Sequence, residues 1–90
     1  MKTESNLATF LKQKREQAGL SQKQVSEKLG YSTPQFVSNW ERGLSAPPIK
    51  IVKKLAEMYR ISGEELFNHL LEETLQQVRR DFMKLKKKVL

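Results

Sequence analysis

Gln35, Ser38 and Asn39 stand three and four positions apart in a stretch of helical spacing. Residues so spaced share one face of a helix. Amide side chains donate and accept hydrogen bonds together, which suits an adenine edge in the major groove of duplex DNA. The side chains there are short and polar, and Glu41 is the first acid of the segment, so such a face can approach phosphates closely. Other chemistries have little material. The chain has no cysteine, which removes disulfides and Cys-ligated zinc, and one histidine, His69, which removes a His-based metal site. No nucleophile–base pair, metal set or phosphate loop is present, so neither an enzyme nor a bound cofactor is expected.

The elements that must position that face are helical. No stretch alternates β-branched residues with period 2, whereas helical periodicity recurs. Leu7, Phe10, Leu11 and Ala18 line a first helix that Gly19 stops. Ser21-Gln22-Lys23-Gln24 reads as a capping box opening a second helix, with Val25 and Leu29 inward and Gly30 as its stop. Pro34 suits the first position of a third helix capped by Thr33; in the rival reading Ser32 is the cap and Gln35 its box partner. Phe36, Val37 and Trp40 form the third helix's apolar stripe and are read as core, and Gly43 ends it. Tyr31 packs in the turn or touches phosphate. After the loop Leu-Ser-Ala-Pro-Pro, a fourth helix runs from about Pro48 to Tyr59 and buries Ile51, Val52, Leu55 and Met58. Ser62-Gly63-Glu64-Glu65 is a further capping box, and the helix it opens has no later Gly or Pro before about residue 88. His69 is read as an ordinary surface residue of that helix.

Ninety residues make one small domain with a short extension, and 24 of them are Leu, Ile, Val or Phe, enough for one modest core. No run approaches the roughly 18 apolar residues of a membrane span, and no charged-then-apolar leader opens the chain. The net charge of +7 is unevenly placed: residues 1–63 and 79–90 are basic, and residues 64–78 carry four Glu and no Lys or Arg. Two basic blocks point to a polyanion, nucleic acid first and anionic membrane second.

Two short helices around a tight turn form a helix-turn-helix. The ordered set Leu11, Arg15, Gly19-Leu20-Ser21-Gln22, Val25-Ser26, Leu29-Gly30, Val37-Ser38, Trp40-Glu41-Arg42-Gly43, Pro47, Leu55-Ala56, Ile61-Ser62 and Leu66 resembles the Cro and lambda-repressor-like helix-turn-helix regulators. The resemblance covers residues 7 to about 68. It implies an all-α, five-helix lambda-repressor-like bundle over 1–68, with the motif at about 22–41 and a helical extension over 69–90. It also implies a cytoplasmic regulator of transcription, a repressor from a bacterium or phage, acting on nucleoid DNA; that it acts as a homodimer is expected from the apolar spacing near the C-terminus. By the same resemblance Pro34, Gln35, Ser38 and Asn39 read bases. Gln22, Lys23, Ser32, Thr33, Arg42 and Lys50 contact phosphate, although Arg42 and Lys50 are equally readable as solvated charges. Arg15 and Glu41 form a structural pair. The turn after Gly30 holds one residue more than the family pattern. Counting back from Glu41 makes Gln35 and Asn39 the readers, whereas counting forward from Gly30 moves the helix start toward Ser32.

Beyond the family's usual end, Leu71, Leu75, Val78, Phe82, Leu85 and Val89 recur at intervals of 4, 3, 4, 3 and 4, with Asn68 one step earlier. That is the a/d seam of a short coiled coil. Self-association is the preferred cover for it; folding back on the bundle and binding another protein are the alternatives. In a parallel dimer Asp81 would meet Lys86 of the other copy, while Lys84, Lys86, Lys87 and Lys88 would repel. A solvated, fraying basic tail is the plain reading of the last five residues. The alternative function is a protein-interaction module, an antitoxin or adaptor whose long helix grips a partner.

Overall fold

The computed structural model describes residues 6–90; the first five residues of the expected 1–68 domain lie outside the described residues. The order is α1 (Asn6–Gln17), α2 (Gln22–Leu29), α3 (Gln35–Glu41), a 3-10 turn (Ile49–Ile51), α4 (Val52–Tyr59) and α5 (Gly63–Val89). No strand occurs among the described residues, and no helix among them is long and apolar enough to cross a membrane. The all-α bundle with a long fifth helix is thus as expected.

Local chemistry sets the boundaries. The Ser21 hydroxyl accepts the Gln24 N–H at 3.0 Å, and the Gln24 side chain accepts the Ser21 N–H at 2.8 Å. This capping box satisfies two otherwise unpaired donors. Gly30 ends α2 at φ +86°, a left-handed conformation that a Cβ disfavours. The Ser62 hydroxyl accepts the Glu65 N–H at 2.9 Å and opens α5. Glu64 and Glu65 in its first turn and Lys86, Lys87 and Lys88 in its last both suit the helix dipole.

The core collects one stripe from each helix: Leu7, Phe10 and Leu11 of α1, Val25 of α2, Val37 and Trp40 of α3, Val52, Leu55, Ala56 and Tyr59 of α4, and Leu66 and Leu70 of α5. Several expectations change. The fourth helix does not start near Pro48; residues 49–51 form a 3-10 turn, and the α-helix begins at Val52. Ile51 and Met58 only flank the core, and Tyr59 takes the fully buried place. Ala18 lies just beyond α1 and is half-buried. Phe36 is not core: it is 53% exposed, because it sits in the first turn of α3, and its ring tilts against Tyr31 at 4.8 Å. Tyr31 meets Trp40 edge-on, so it packs across the turn. His69 is not a plain surface residue either. Its ring stacks on Phe10, centroids 3.8 Å apart and 16° from parallel.

The molecule measures 48 × 27 × 26 Å. The long dimension is α5, whose 27 residues span about 40 Å at 1.5 Å per residue. Its fully buried residues end at Leu70. Leu71, Leu75, Val78, Phe82, Leu85 and Val89 are all exposed on one unbroken helix, so the fold-back alternative is not the arrangement adopted.

Candidate nucleic-acid interface

Val37 and Trp40 are 0% and 2% exposed, so they fix which side of α3 faces the core. At about 100° per residue, Gln35 and Asn39 then fall on the far side, one turn apart. The structure joins them. The Gln35 Nε2 donates to Asn39 Oδ1 at 2.9 Å, and the Arg42 Nη2 donates to the same oxygen at 2.8 Å. One acceptor thereby aligns two amides and a guanidinium along the outward face. The Asn39 amide N–H groups and the Gln35 carbonyl point to no partner within this trio and can serve a base edge. Ser38 is half-buried on the flank.

The start of α3 follows neither capping alternative: Pro34 is itself the cap position, with no side-chain cap bond, and Gln35 is the first helical residue. The Thr33 hydroxyl accepts the Gln35 N–H at 3.2 Å. Pro34 stands immediately before the helix, whose first turn closes from Ser38 N–H to the Pro34 carbonyl. The Gln35 side chain is therefore not used as a cap and remains on the outward face. Ser32, Thr33 and Pro34 are exposed beside it.

The other end of α3 is anchored, not displayed. The Arg15 guanidinium donates to both carboxylate oxygens of Glu41, at 2.6 and 3.0 Å, and to the Leu20 carbonyl at 2.7 Å. Their side chains are only 10% and 3% exposed. The hydrogen bond to Glu41 raises the Arg15 pKa further above its ordinary value, against the opposing effect of burial. Gln22 belongs to the same network, since its Nε2 donates to Glu41 Oε1 at 3.0 Å. The residue read as a phosphate contact thus also ties the start of α2 to the end of α3. It is the first residue of α2, so its backbone N–H sits among the free donors at the helix N-terminus. Tyr59 completes the surroundings. Burial, and next the nearby Glu41 charge, raise its phenol well above the ordinary value, with Arg15 opposing.

Lys23 and Arg42 are exposed on α2 and just after α3. Lys50 lies elsewhere, lining an open groove with Lys53, Glu57, Glu64 and Phe67 beside the start of α5. The structure does not join it to the α3 trio. Three features escaped sequence reasoning. The Gln22–Glu41 bond and the place of Tyr59 depend on contacts across the chain that no local pattern encodes. Phe36 looked like core by spacing; its apolar ring instead lies beside the amide face.

A helix-turn-helix family model matches residues 11–66, which includes α2, the turn and α3. Two curated proteins, both described as uncharacterized HTH-type transcriptional regulators and from two strains of Mycobacterium tuberculosis, are each 36% identical over 59 residues. The match covers 66% of this chain and 41% of each relative, so the chain spans about two-fifths of their length. No solved structure matches. The family model covers well over half of the chain, and the chain belongs to the helix-turn-helix family of Cro and lambda-repressor type, whose domains bind DNA.

Proposed function

We propose that this chain is a sequence-specific duplex DNA-binding regulator of transcription, acting as a repressor and a homodimer. The observation that carries this reading is the pre-aligned Gln35–Asn39–Arg42 face opposite the buried Val37 and Trp40. α3 lies in the major groove. Asn39 and Gln35 exchange their mutual hydrogen bond for base edges, which costs little because the bond is exposed. Pro34 and Ser38 border the contacted bases, and Phe36 offers its exposed ring to a thymine methyl. The N-terminus of α2, with Gln22 and Lys23, rests on the backbone. Ser32, Thr33, Arg42 and Lys50 add phosphate contacts, which position the domain and carry the salt dependence. A homodimer fits a palindromic operator, with half-sites about 34–36 Å apart or a multiple.

Selection of preferred sites from random duplexes tests this. The chain should enrich a defined sequence, and the pair Gln35→Ala with Asn39→Ala should abolish the preference while leaving weak, salt-sensitive binding. An unchanged footprint from that double variant rejects the assignment. The exposed stripe on α5 supports a second reading, an antitoxin or adaptor that grips a protein through that helix. A clean monomer in solution favours it.

A further inference from the structure

α5 changes its apolar face part-way along. Leu66 and Leu70 are buried against the bundle, with His69 and Glu73 half-buried beside them. Leu71, Leu75, Val78, Phe82, Leu85 and Val89 are exposed. At about 100° per residue the two sets point in roughly opposite directions from the helix axis. The bundle therefore occupies the back of α5 and leaves the whole stripe open. The Arg80–Glu73 ion pair, 3.6 Å, also lies on the back.

We infer that a second copy of this chain covers the stripe in the antiparallel direction, with Leu71 against Val89, Leu75 against Leu85, and Val78 against Phe82 of the other copy. This rests on the homodimer part of the proposed function and not on the DNA contacts. Two features favour the direction. The first is shape. An antiparallel pair in this register puts all six residues into matched layers and sets the large Phe82 against the small Val78. A parallel pair stacks Phe82 on Phe82 and Val78 on Val78, crowding one layer and leaving the next thin.

The second is charge. Residues 71–79 hold Glu72 and Glu73 against Arg79, and residues 81–89 hold Lys84, Lys86, Lys87 and Lys88 against Asp81. Antiparallel pairing lays the acidic half of each copy beside the basic half of the other. It brings Glu72 opposite Lys86 twice, once at each end. Parallel pairing lays the lysines of both copies side by side, against one attraction per flank between Asp81 and Lys86. Near the centre of the antiparallel pair, Arg79 meets Arg79 on one flank and Asp81 meets Asp81 on the other. These two repulsions, like the two Glu72–Lys86 attractions, are exposed contacts of small weight, so the charge preference rests on keeping the two lysine clusters at opposite ends of the pair.

The chain has no cysteine, so single thiols report the direction. In Leu71→Cys and Val89→Cys variants of the full chain, an antiparallel pair brings the two different thiols together. It holds identical thiols about 27 Å apart at 1.5 Å per residue. Sedimentation should give a dimer. Mixing the two variants under mild oxidation should give a mixed disulfide, roughly tenfold more than either forms alone, since a disulfide needs its Cβ atoms within about 4.5 Å. Self-cross-linking of each variant would establish a parallel pair and overturn the inference. So would a monomer, or a dimer in which no combination cross-links. Site selection is scored separately. A monomer with a preferred DNA site sinks this inference alone, and an antiparallel dimer with no DNA preference sinks the DNA reading alone.

Discussion

Glu41 and Arg42 are neighbours, yet they belong to two polar networks with opposite fates. Glu41 faces inward and is held by Arg15 and Gln22 in a site almost closed to water. Arg42 faces outward and shares Asn39 Oδ1 with Gln35 in the open. The bond lengths are alike, but the acceptors and their surroundings differ: a carboxylate closed to water inside, a neutral amide oxygen in the open outside. A buried charge that loses its partner is strongly destabilising, whereas an exposed amide exchanges partners with water, or with a base, at small cost. The inner network fixes where α3 sits, and the outer one is free to be read.

Breaking the inner network should give the largest effect. Arg15→Ala strands the Glu41 carboxylate and should cost about 3–5 kcal/mol in urea unfolding. The paired change Arg15→Met with Glu41→Leu should recover most of that loss, because it removes both charges. A loss under 1 kcal/mol for Arg15→Ala, on the order of a surface ion pair, would show that the two networks do not differ in kind.

Asn39→Ala should reverse the pattern. Stability should stay within about 0.5 kcal/mol, as for surface changes. Discrimination between the preferred duplex and one altered at the contacted base pair should fall by about 1–3 kcal/mol, or roughly 5- to 150-fold. A variant that loses stability and keeps its preference would exchange the roles of the two networks.

The inner network should also respond to pH, through the tyrosine packed against it. Tyr59 is the sensitive group. Its folded-state pKa is raised above the ordinary 10.0, first by burial and then by the Glu41 charge. A raised pKa means that the folded protein holds the proton more tightly. The stabilisation is full below pH 10 and is lost as pH rises past it, by about 1.4 kcal/mol per pH unit. Thermal unfolding from pH 8 to 11 should show this fall, and Tyr59→Phe should remove it. An identical alkaline slope in both proteins would place its source elsewhere.

The outer network was more legible in sequence than the inner one. Gln35 and Asn39 are four apart on one short helix, and Val37 and Trp40 between and after them fix the facing, so a helical wheel suffices. Arg15 and Glu41 are 26 positions apart, and only the resemblance to a known family paired them. Nothing local tied Gln22 to Glu41, stacked His69 on Phe10, or put Tyr59 rather than Met58 in the core. Phe36 misled because helical spacing says which side a residue faces but not how far the neighbouring helices reach. In α5 the same periodicity picks out a stripe whose six residues are exposed.

Ser26 provides the sharpest small test of what partners contribute. It is 1% exposed in α2, as closed to water as the Glu41 side chain, but its hydroxyl has no hydrogen-bond partner. If burial with partners stabilises and burial without them costs, Ser26→Ala must act opposite to Arg15→Ala. Removing one unsatisfied hydroxyl from a packed site should raise stability by about 1 kcal/mol. The methyl left behind fills most of the same space, so the cavity cost is small. DNA preference should not move, since the side chain points into the core behind the turn. Destabilisation by a similar amount would mean that the hydroxyl is satisfied in solution, by water or by the backbone of its own helix. The buried side of the comparison would then consist wholly of partnered groups.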